Sequence, residues 1–456
     1  MRSVLRSTFV AGVTGALAVA AAWAGAGLGP VPTPSVPAVP VAVPGGVAAG
    51  TATAPNALSV ATAASLPPLG GGQILAGAAK SSIAPRPDLM KAKGFPNARW
   101  ETDRAQCTKL APEEIQRLLS QTQTELDHLA SAGSPWPENP SCIYQGGFSI
   151  GPVNPVSSFD AEYGLWVRSV AFSDGADTLV LSVVDGEGWL WDYANKCDDC
   201  GAKQIAAALA ADPELAARNV TAKSHVLHAT HSHASPDFIG GWGFVPDWYM
   251  KQVADTIKAT AKSAVLSMRP AVLETGEEDA RANNSERRDT YRSAEEQQLT
   301  WLRAVAVDED AKKKDAPDVI ATVGAFAAHP TTKGTNGGVA HADWVGVFEK
   351  RLETRFGGVG LHFMTGLGNI SASGGTAMGG RLADLLPAIG AGRLVDSTDL
   401  VLAQTTWHQP VTNVPLDLHA RLLRPAVRPL AGVGADRQEP RHRAVRLRVR
   451  AVSSCR

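Results

Sequence analysis

A repeated succession of strand, polar turn and helix is the feature that most narrows the folds open to this chain. Residues 224–229 and 319–328 have the composition of strands, and helical spacing of apolar residues follows in residues 250–265 and 344–356. A third unit begins with residues 360–364. Strands alternating with helices predict an α/β or mixed α+β domain, with a β-sheet core and flanking helices. The active site is then expected in the loops after the strand ends.

Further elements are predicted before the first of these units. Residues 165–172 and 178–184 are two β-rich runs separated by Ser-Asp-Gly-Ala-Asp, which indicates a β-hairpin. A short strand is expected at residues 73–77. Leucine and isoleucine recur at helical spacing within residues 112–130, which predicts an amphipathic helix there.

The start of the chain differs in composition from this central region. Residues 1–27 combine a basic start, an apolar run and small residues at the end, as in a signal peptide. A membrane anchor is the alternative, but the apolar run is short and interrupted by glycines. Residues 28–72 are rich in Pro, Ala and Val and contain no charged residue, so we predict a disordered linker. One folded domain is then expected over residues 73–418, and the protein is expected to be secreted.

The end of the chain is unusual in a different way. Residues 419–456 contain ten arginines, no lysine and two acidic residues, without a sustained apolar period. One interpretation is a basic tail that binds nucleic acid or membranes. We favour the other, a shifted reading frame in a GC-rich gene, and neither interpretation predicts a packed fold. A surface adhesin that binds through a basic tail is one hypothesis for the function of the whole protein.

Overall charge and cysteine content set two further limits. The chain has 43 basic and 44 acidic residues, a formal net charge of −1, so no field draws it as a whole onto nucleic acid. Its five cysteines suit an oxidising compartment. We predict two disulfides, Cys107 with Cys142 and Cys197 with Cys200, leaving Cys455 unpaired. Metal or redox chemistry at Cys197 and Cys200 is the alternative, although no second such pair completes a four-sulfur site.

Four histidines fall within residues 224–236, at the end of a predicted strand. His231 and His233 form a His-x-His pair, which can direct two imidazoles toward one cleft, as zinc sites require. On an extended strand, these two side chains would point to the same face of the sheet as His225, and His228 would point to the opposite face. For His225 and His228 we favour hydrogen-bonded core positions.

A second candidate follows the strand at residues 319–328. Pro330 ends the strand and leaves His329 at its mouth, where it could bind a metal. His341 and Asp343 come next. They either belong to the polar site or form the start of the next helix, with Asp343 as its N-cap.

These motifs resemble those of the neutral, non-lysosomal ceramidases. Residues 230–233 (Thr-His-Ser-His) and 329–331 (His-Pro-Thr), followed by Asp343, are similar to that family's Thr-His-Thr-His-Ser and His-Pro-Thr motifs. Residues 76–85, the strand around Arg168 and residues 368–371 (Gly-Asn-Ile-Ser) add to the resemblance. It covers residues 73–418 in the family's order.

The resemblance implies a zinc amidase that hydrolyses the amide of ceramide-like lipids to sphingosine and a fatty acid, with transient contact at a membrane surface. By the same resemblance, His231 and His329 bind Zn²⁺, His233 faces the substrate as a catalytic residue, and Ser371 is the motif serine. Two imidazoles on one zinc ion have ring nitrogens about 3 to 4 Å apart. We therefore expect His231 and His329 to meet at the mouths of two neighbouring strands.

The chain also departs from the family pattern. The family usually has Ser-Gly-Pro-Gly-Gly after its paired histidines, where this chain has Ala-Ser-Pro-Asp at residues 234–237, and Asn369 stands in place of an aspartate. The family's remaining zinc ligands are a glutamate and a tyrosine from motifs further downstream. No counterpart of these motifs occurs in this sequence before the arginine-rich tail. The alternative function is therefore an inactive exported binding protein that retains the fold.

Overall fold

A computed structural model describes residues 73–107, 140–148, 152–193, 197–243, 245–286, 297–368, 370–395, 399–400 and 402. The predicted signal peptide, the linker, the amphipathic helix at residues 112–130 and the arginine-rich tail lie outside the described residues. No helix within the described part of the chain is long and apolar enough to cross a membrane.

Strands and helices follow one another in an irregular alternation. The strands are β1 (Ile74–Ser82), β2 (Ser158–Phe159), β3 (Trp166–Ser173), β4 (Thr178–Val184), β5 (His225–Ala229), β6 (Arg269–Asp279), β7 (Asn284–Glu286), β8 (Gln298–Ala306), β9 (Val319–Phe326), β10 (Val339–Ala340), β11 (Val359–Met364), β12 (Ile370–Ala372) and β13 (Arg393–Leu394). The helices are α1 (Pro87–Ala92), α2 (Ala202–Ala211), α3 (Pro213–Ala216), α4 (Asp247–Leu266), α5 (Asp343–Phe356) and α6 (Ala377–Leu385). Short 3-10 helices span Ala311–Lys313 and Asn336–Gly338.

One large mixed sheet organises the described residues. Its strand order is β11-β9-β8-β6-β1-β3-β4-β5, and β13 pairs with β6. The two outermost pairs, β11 with β9 and β4 with β5, are parallel, and the other pairs in this order are antiparallel. Each parallel pair is joined by a helical crossover, as parallel neighbours require. The mixed α/β class with flanking helices is confirmed.

The sheet divides into two halves at β1. This strand pairs with β3 over eight residues, Leu75 to Ser82, but with β6 only from Ile74 to Ala76. We call β1, β3, β4 and β5 half-sheet 1, and β6, β8, β9 and β11 half-sheet 2. Strand β11 contacts β3, β4 and β5, so the sheet folds over on itself. The two halves face each other across an apolar layer, and its largest buried members are Phe172, Ile74, Ile320 and Leu361.

Helices cover the outer face of each half-sheet. Helix α4 buries Val253, Ile257 and Ala261 against half-sheet 1. Helices α5 and α6 pack on half-sheet 2 in a second core. Gly77 on β1 permits the close approach of α4, because a Cβ atom there would lie 2.2 Å from the carbonyl oxygen of Ala264. The result is four layers, helix, sheet, sheet and helix.

Most local predictions agree with the elements observed. The hairpin of β3 and β4 is confirmed, with Ser173 opposite Thr178 and the side chain of Asp174 accepting bonds from the N–H groups of Ala176 and Asp177. Strand β1 is longer than predicted. The pattern did not reveal β6, β8, α2 and α6. Both predicted disulfides, Cys107 with Cys142 and Cys197 with Cys200, are formed.

Candidate metal centre

The histidine pair lies in a turn, not on a strand. Strand β5 ends at Ala229, and the Thr230 N–H still donates to the Val184 carbonyl at 3.0 Å. His231 then adopts a left-handed backbone, with φ of 58°. This conformation costs a side-chain-bearing residue about 1 to 2 kcal/mol, so the surrounding contacts must hold it. The argument from side-chain alternation along the strand therefore does not apply beyond Ala229, although both imidazoles do reach one cleft.

Two hydrogen bonds hold this turn against the segment that follows β9. The hydroxyl of Ser232 donates to the His341 carbonyl at 2.7 Å, and the His233 N–H donates to the Pro330 carbonyl at 3.2 Å. His329 lies three residues beyond the end of β9, and its N–H donates to the Ile370 carbonyl at 2.9 Å. The two histidine segments are thus bonded directly to each other.

Three imidazoles converge at this junction. The Nε2 atom of His233 lies 3.3 Å from Nε2 of His231 and 3.0 Å from Nε2 of His329. The ring centroids of His231 and His329 are 4.8 Å apart. Two nitrogens bound to one tetrahedral zinc ion lie about 3.3 Å apart when each bond is about 2.05 Å. The donor set and its spacing therefore fit a divalent metal of the zinc type.

The strands that carry these histidines are not neighbours in the sheet. We expected two adjacent strand mouths, but β5 and β9 lie near opposite ends of the strand order. They meet because the sheet folds over, which also brings Nε2 of His228 on β5 to 3.0 Å from the Met364 N–H on β11. This expectation was wrong, and long-range packing produces the convergence.

The other ring nitrogen of His231 faces Glu187. Its Nδ1 lies 2.6 Å from the Glu187 carbonyl oxygen and 3.7 Å from Oε1 of the same residue. The carbonyl can only accept, so Nδ1 carries the proton and Nε2 presents a lone pair to the cluster. Burial lowers the pKa of His231, partly opposed by this hydrogen bond, which favours the neutral ring that a metal requires.

A buried pair of carboxyl groups lies behind His231. Burial, and then the charge of Asp237, raise the pKa of Glu187 to about 8. Asp237 accepts bonds from the N–H groups of Ile239, Gly240 and Trp242. No sequence pattern indicated Glu187. The only available signal was its position just after β4, at the edge where β5 also ends.

Aromatic rings line the cleft on the His233 side. The rings of Phe148 and Trp242 lie 5.8 and 6.0 Å from the His233 ring, and Phe148 is 42% exposed. Gly147 allows this arrangement, because a Cβ atom there would lie 2.2 Å from Nδ1 of His233. These residues were not predicted, although two successive glycines before Phe148 are a sign of close backbone approach.

The backbone of Ser371 lies beside the histidine cluster. It forms an isolated bridge with His329, and on β12 it is paired with Ser285 of β7. Ser371 is half-buried. The structure thus places all four predicted site residues, His231, His233, His329 and Ser371, in one region.

The remaining candidates have structural roles. His225 shares a hydrogen bond with the Ser182 hydroxyl at 2.9 Å, and His228 accepts from the Met364 N–H, as we expected for core positions. Burial lowers the pKa of each of these two histidines to about 4. Asp343 is the first residue of α5 and not its N-cap, a position that Ala342 occupies. The Asp343 carboxylate accepts from the Thr332 hydroxyl and the Lys333 N–H, both at 2.7 Å. It therefore fixes the turn after His329.

Cys197, Asp199 and Cys200 form a second group of metal-binding residue types in the described chain. The two sulfurs are joined in a disulfide and have no thiolate to offer. This agrees with the predicted disulfide between Cys197 and Cys200.

Comparison with known proteins gives a structural likeness alone. No protein-family model matches the sequence, and no curated protein matches it. A ceramidase in complex with C2 is similar with a TM-score of 0.45 and 15% identity, covering 68% of this chain and 43% of that one. The neutral ceramidase of Pseudomonas aeruginosa is similar with a TM-score of 0.49 and 14% identity, covering 73% and 47%. The chain matches less than half the length of either structure.

Proposed function

We propose that this protein is a secreted zinc-dependent amidohydrolase that cleaves the N-acyl amide of ceramide-like lipids. The observation that carries the proposal is the convergence of three histidine Nε2 atoms, with spacings of 3.0 and 3.3 Å about His233. Three protein ligands with one open position are typical of catalytic zinc. The motif resemblance supplies the reaction class.

His231, His233 and His329 would hold the ion. The resemblance alone assigned two ligands and placed His233 at the substrate, whereas the spacing of the rings supports His233 as a third ligand. A zinc ion in such a site acts as a Lewis acid that polarises a carbonyl and makes water a better nucleophile near neutral pH. Glu187 orients His231 through its carbonyl oxygen.

The substrate class is supported by the walls of the cleft. Phe148 and Trp242 offer apolar rings next to His233, on the side where an acyl chain could lie. Ser371 lies beside His329, and we assign it a catalytic role. Its hydroxyl would donate a hydrogen bond to the amide carbonyl oxygen of the substrate. Export is supported by the two disulfides, which persist in oxidising compartments.

The test uses the purified full-length protein, first stripped with a chelator and then reloaded with zinc. We expect about one zinc ion per chain and release of fatty acid from an N-acylsphingosine, both lost in His231→Ala. His225→Gln, which alters a histidine outside the cluster, should retain both. Zinc binding without fatty acid release would favour the inactive binding protein, and a wild-type protein that binds no zinc would refute the metal site.

A further inference from the structure

Five charged side chains form a cluster away from the three histidines, which is buried at its centre and reaches the surface at Lys80, 36% exposed. We call Lys80, Arg168, Asp185, Glu349 and Glu353 the buried ion cluster. Nη1 of Arg168 lies 2.7 Å from Oε2 of Glu349 and 3.2 Å from Oδ2 of Asp185, and all three side chains are at most 3% exposed. Nε of Arg168 lies 3.6 Å from Glu353, which also pairs with Lys80 at 2.6 Å.

The buried ion cluster joins the two half-sheets. Arg168 lies on β3 and Asp185 directly follows β4, both in half-sheet 1. Glu349 lies on α5, which packs on half-sheet 2. Oε1 of Glu349 accepts from the His362 N–H of β11 at 3.2 Å, while its other oxygen faces Arg168. A single carboxylate thus binds one element from each half.

Each side of the cluster leads to a histidine of the metal centre. On the first side, the Asp185 N–H donates to the Trp166 carbonyl at 2.9 Å, and Oδ2 of Asp185 accepts the Trp166 N–H at 2.8 Å. Its neighbour Val184 accepts the Thr230 N–H, next to His231, and Glu187 two residues later accepts Nδ1 of His231. Asp185 therefore positions the two carbonyl groups, of Val184 and Glu187, that hold the backbone before His231 and its ring.

On the second side, the path runs along α5. Glu349 lies in the middle of this helix, and its first residue, Asp343, binds Thr332 and Lys333 in the turn that follows His329. A shift of α5 relative to β3 would move His329 relative to His231. The spacing of the two imidazoles therefore depends on the contact between Arg168 and Glu349.

Stability alone is a weak reason for such a cluster. A buried ion pair is often no more stabilising than apolar side chains of similar volume, because both charges lose their hydration. A pair that joins two packed units does, however, permit few alternative spacings, since a displaced charge would be left unpaired. The charges of Glu349 and Asp185 outweigh burial and raise the pKa of Arg168, so it stays charged.

We propose that Arg168 is a positioning residue for the metal centre, holding α5 and half-sheet 1 at the spacing at which His231 and His329 share one ion. This inference rests on the metal site of the proposed function. It assigns to Arg168 no contact with metal or substrate.

Arg303 and Glu274 provide a matched control. They form a second buried pair, with Nη1 and Oε1 2.8 Å apart and side chains at most 2% exposed. Both residues lie on neighbouring strands, β8 and β6, within half-sheet 2. Loss of this pair removes a comparable buried interaction without altering the contact between the two halves.

The experiment measures cobalt and zinc affinity by chelator competition in the full-length protein, together with thermal stability. The variants are Arg168→Met with Glu349→Met and Asp185→Asn, which leaves none of the three buried charges unpaired, and Arg303→Met with Glu274→Met. We expect the first variant to bind metal about 10- to 100-fold more weakly, the range found for outer-shell partners, even where its melting temperature is close to that of wild type. The control variant should bind metal as wild type does, and Arg168→Lys alone, which keeps the positive charge, should lose less affinity than the first variant.

Other results would overturn the inference. Wild-type metal affinity in the variant of Arg168, Glu349 and Asp185 would refute it, as would an equal loss of affinity in that variant and in the control variant. If no Arg168 variant folds, Glu349→Gln serves instead, since it keeps the shape and removes the charge. Failure of every such variant to fold, while the control folds, would show a merely structural role. A wild-type protein that binds no metal would instead refute the proposed function.

Discussion

Nε2 of His233 lies 3.0 Å from Nε2 of His329, although 96 positions separate the two residues in the chain. Their segments are also joined by the hydrogen bond from the His233 N–H to the Pro330 carbonyl. His233 is therefore tied to the His329 turn by its backbone and by its ring. This relationship supports the proposal that His233 is a third ligand of the metal.

We predict that His233→Ala loses the bound metal. Removal of one of the three proposed ligands should weaken zinc binding by more than the roughly 10- to 100-fold expected for an outer-shell partner. Equilibrium dialysis against zinc, with metal counted by mass spectrometry, measures this directly. Full metal retention with loss of turnover would instead support the substrate-facing role inferred from the motif.

Gly147→Ala should disturb the same site through packing. Its Cβ atom would meet Nδ1 of His233 at 2.2 Å, so the ring must move away from the other two. We expect weaker metal binding and a loss of stability of about 1 to 3 kcal/mol, as for other overpacked positions. Gly380→Ala in α6 is the control, because open space surrounds that position and alanine favours a helix. Equal metal binding in both variants would contradict this account.

Asp343→Ala should release the turn that follows His329. The substitution removes acceptors for the Thr332 hydroxyl and for the N–H groups of Lys333 and Trp344. The Trp344 N–H is buried and the other two donors are partly buried. A buried donor left unsatisfied costs about 1 to 3 kcal/mol, so stability and metal affinity should both fall. Asp212→Ala removes a side chain that caps α3, outside the histidine cluster, and should cost about 1 kcal/mol without weakening metal binding. Urea unfolding and a metal titration of both variants check the prediction.

The stability of the protein should fall in mild acid, in part because of His225. Its folded-state pKa is lowered to about 4 by burial, against an ordinary value of 6.5, so the unfolded chain binds the proton more tightly. Its contribution is present above pH 6.5 and is lost as the pH falls toward 4. Between pH 7 and pH 5 the resulting loss of unfolding free energy is about 2 kcal/mol. His225→Gln should show a shallower decline in unfolding free energy over this range, and an unchanged slope would refute the assignment.

Local patterns identified much of the fold and failed at particular elements. The hairpin of β3 and β4 was predictable because two β-rich runs flank a turn of Asp and Gly. Strand β6 was hidden by its charged residues, including Glu274, whose charge is paired with Arg303 only after β8 lies beside it. Helix α2 is mostly alanine, which produces little contrast between its faces. In each case the partner that explains the residues is distant in sequence.

The sequence by itself determined the class of the fold, the strand ends at which chemistry was expected and the histidines most suited to bind a metal. Periodicity reports which face of an element is buried, and motif spacing reports which residues occur together along the chain. The tertiary structure alone decided that β5 and β9, distant in the sheet, bring their ends together, that His231 takes a left-handed backbone and that His233 joins the cluster. These features depend on the sheet folding over and on its buried contacts, which are set by packing between remote segments and have no local signature.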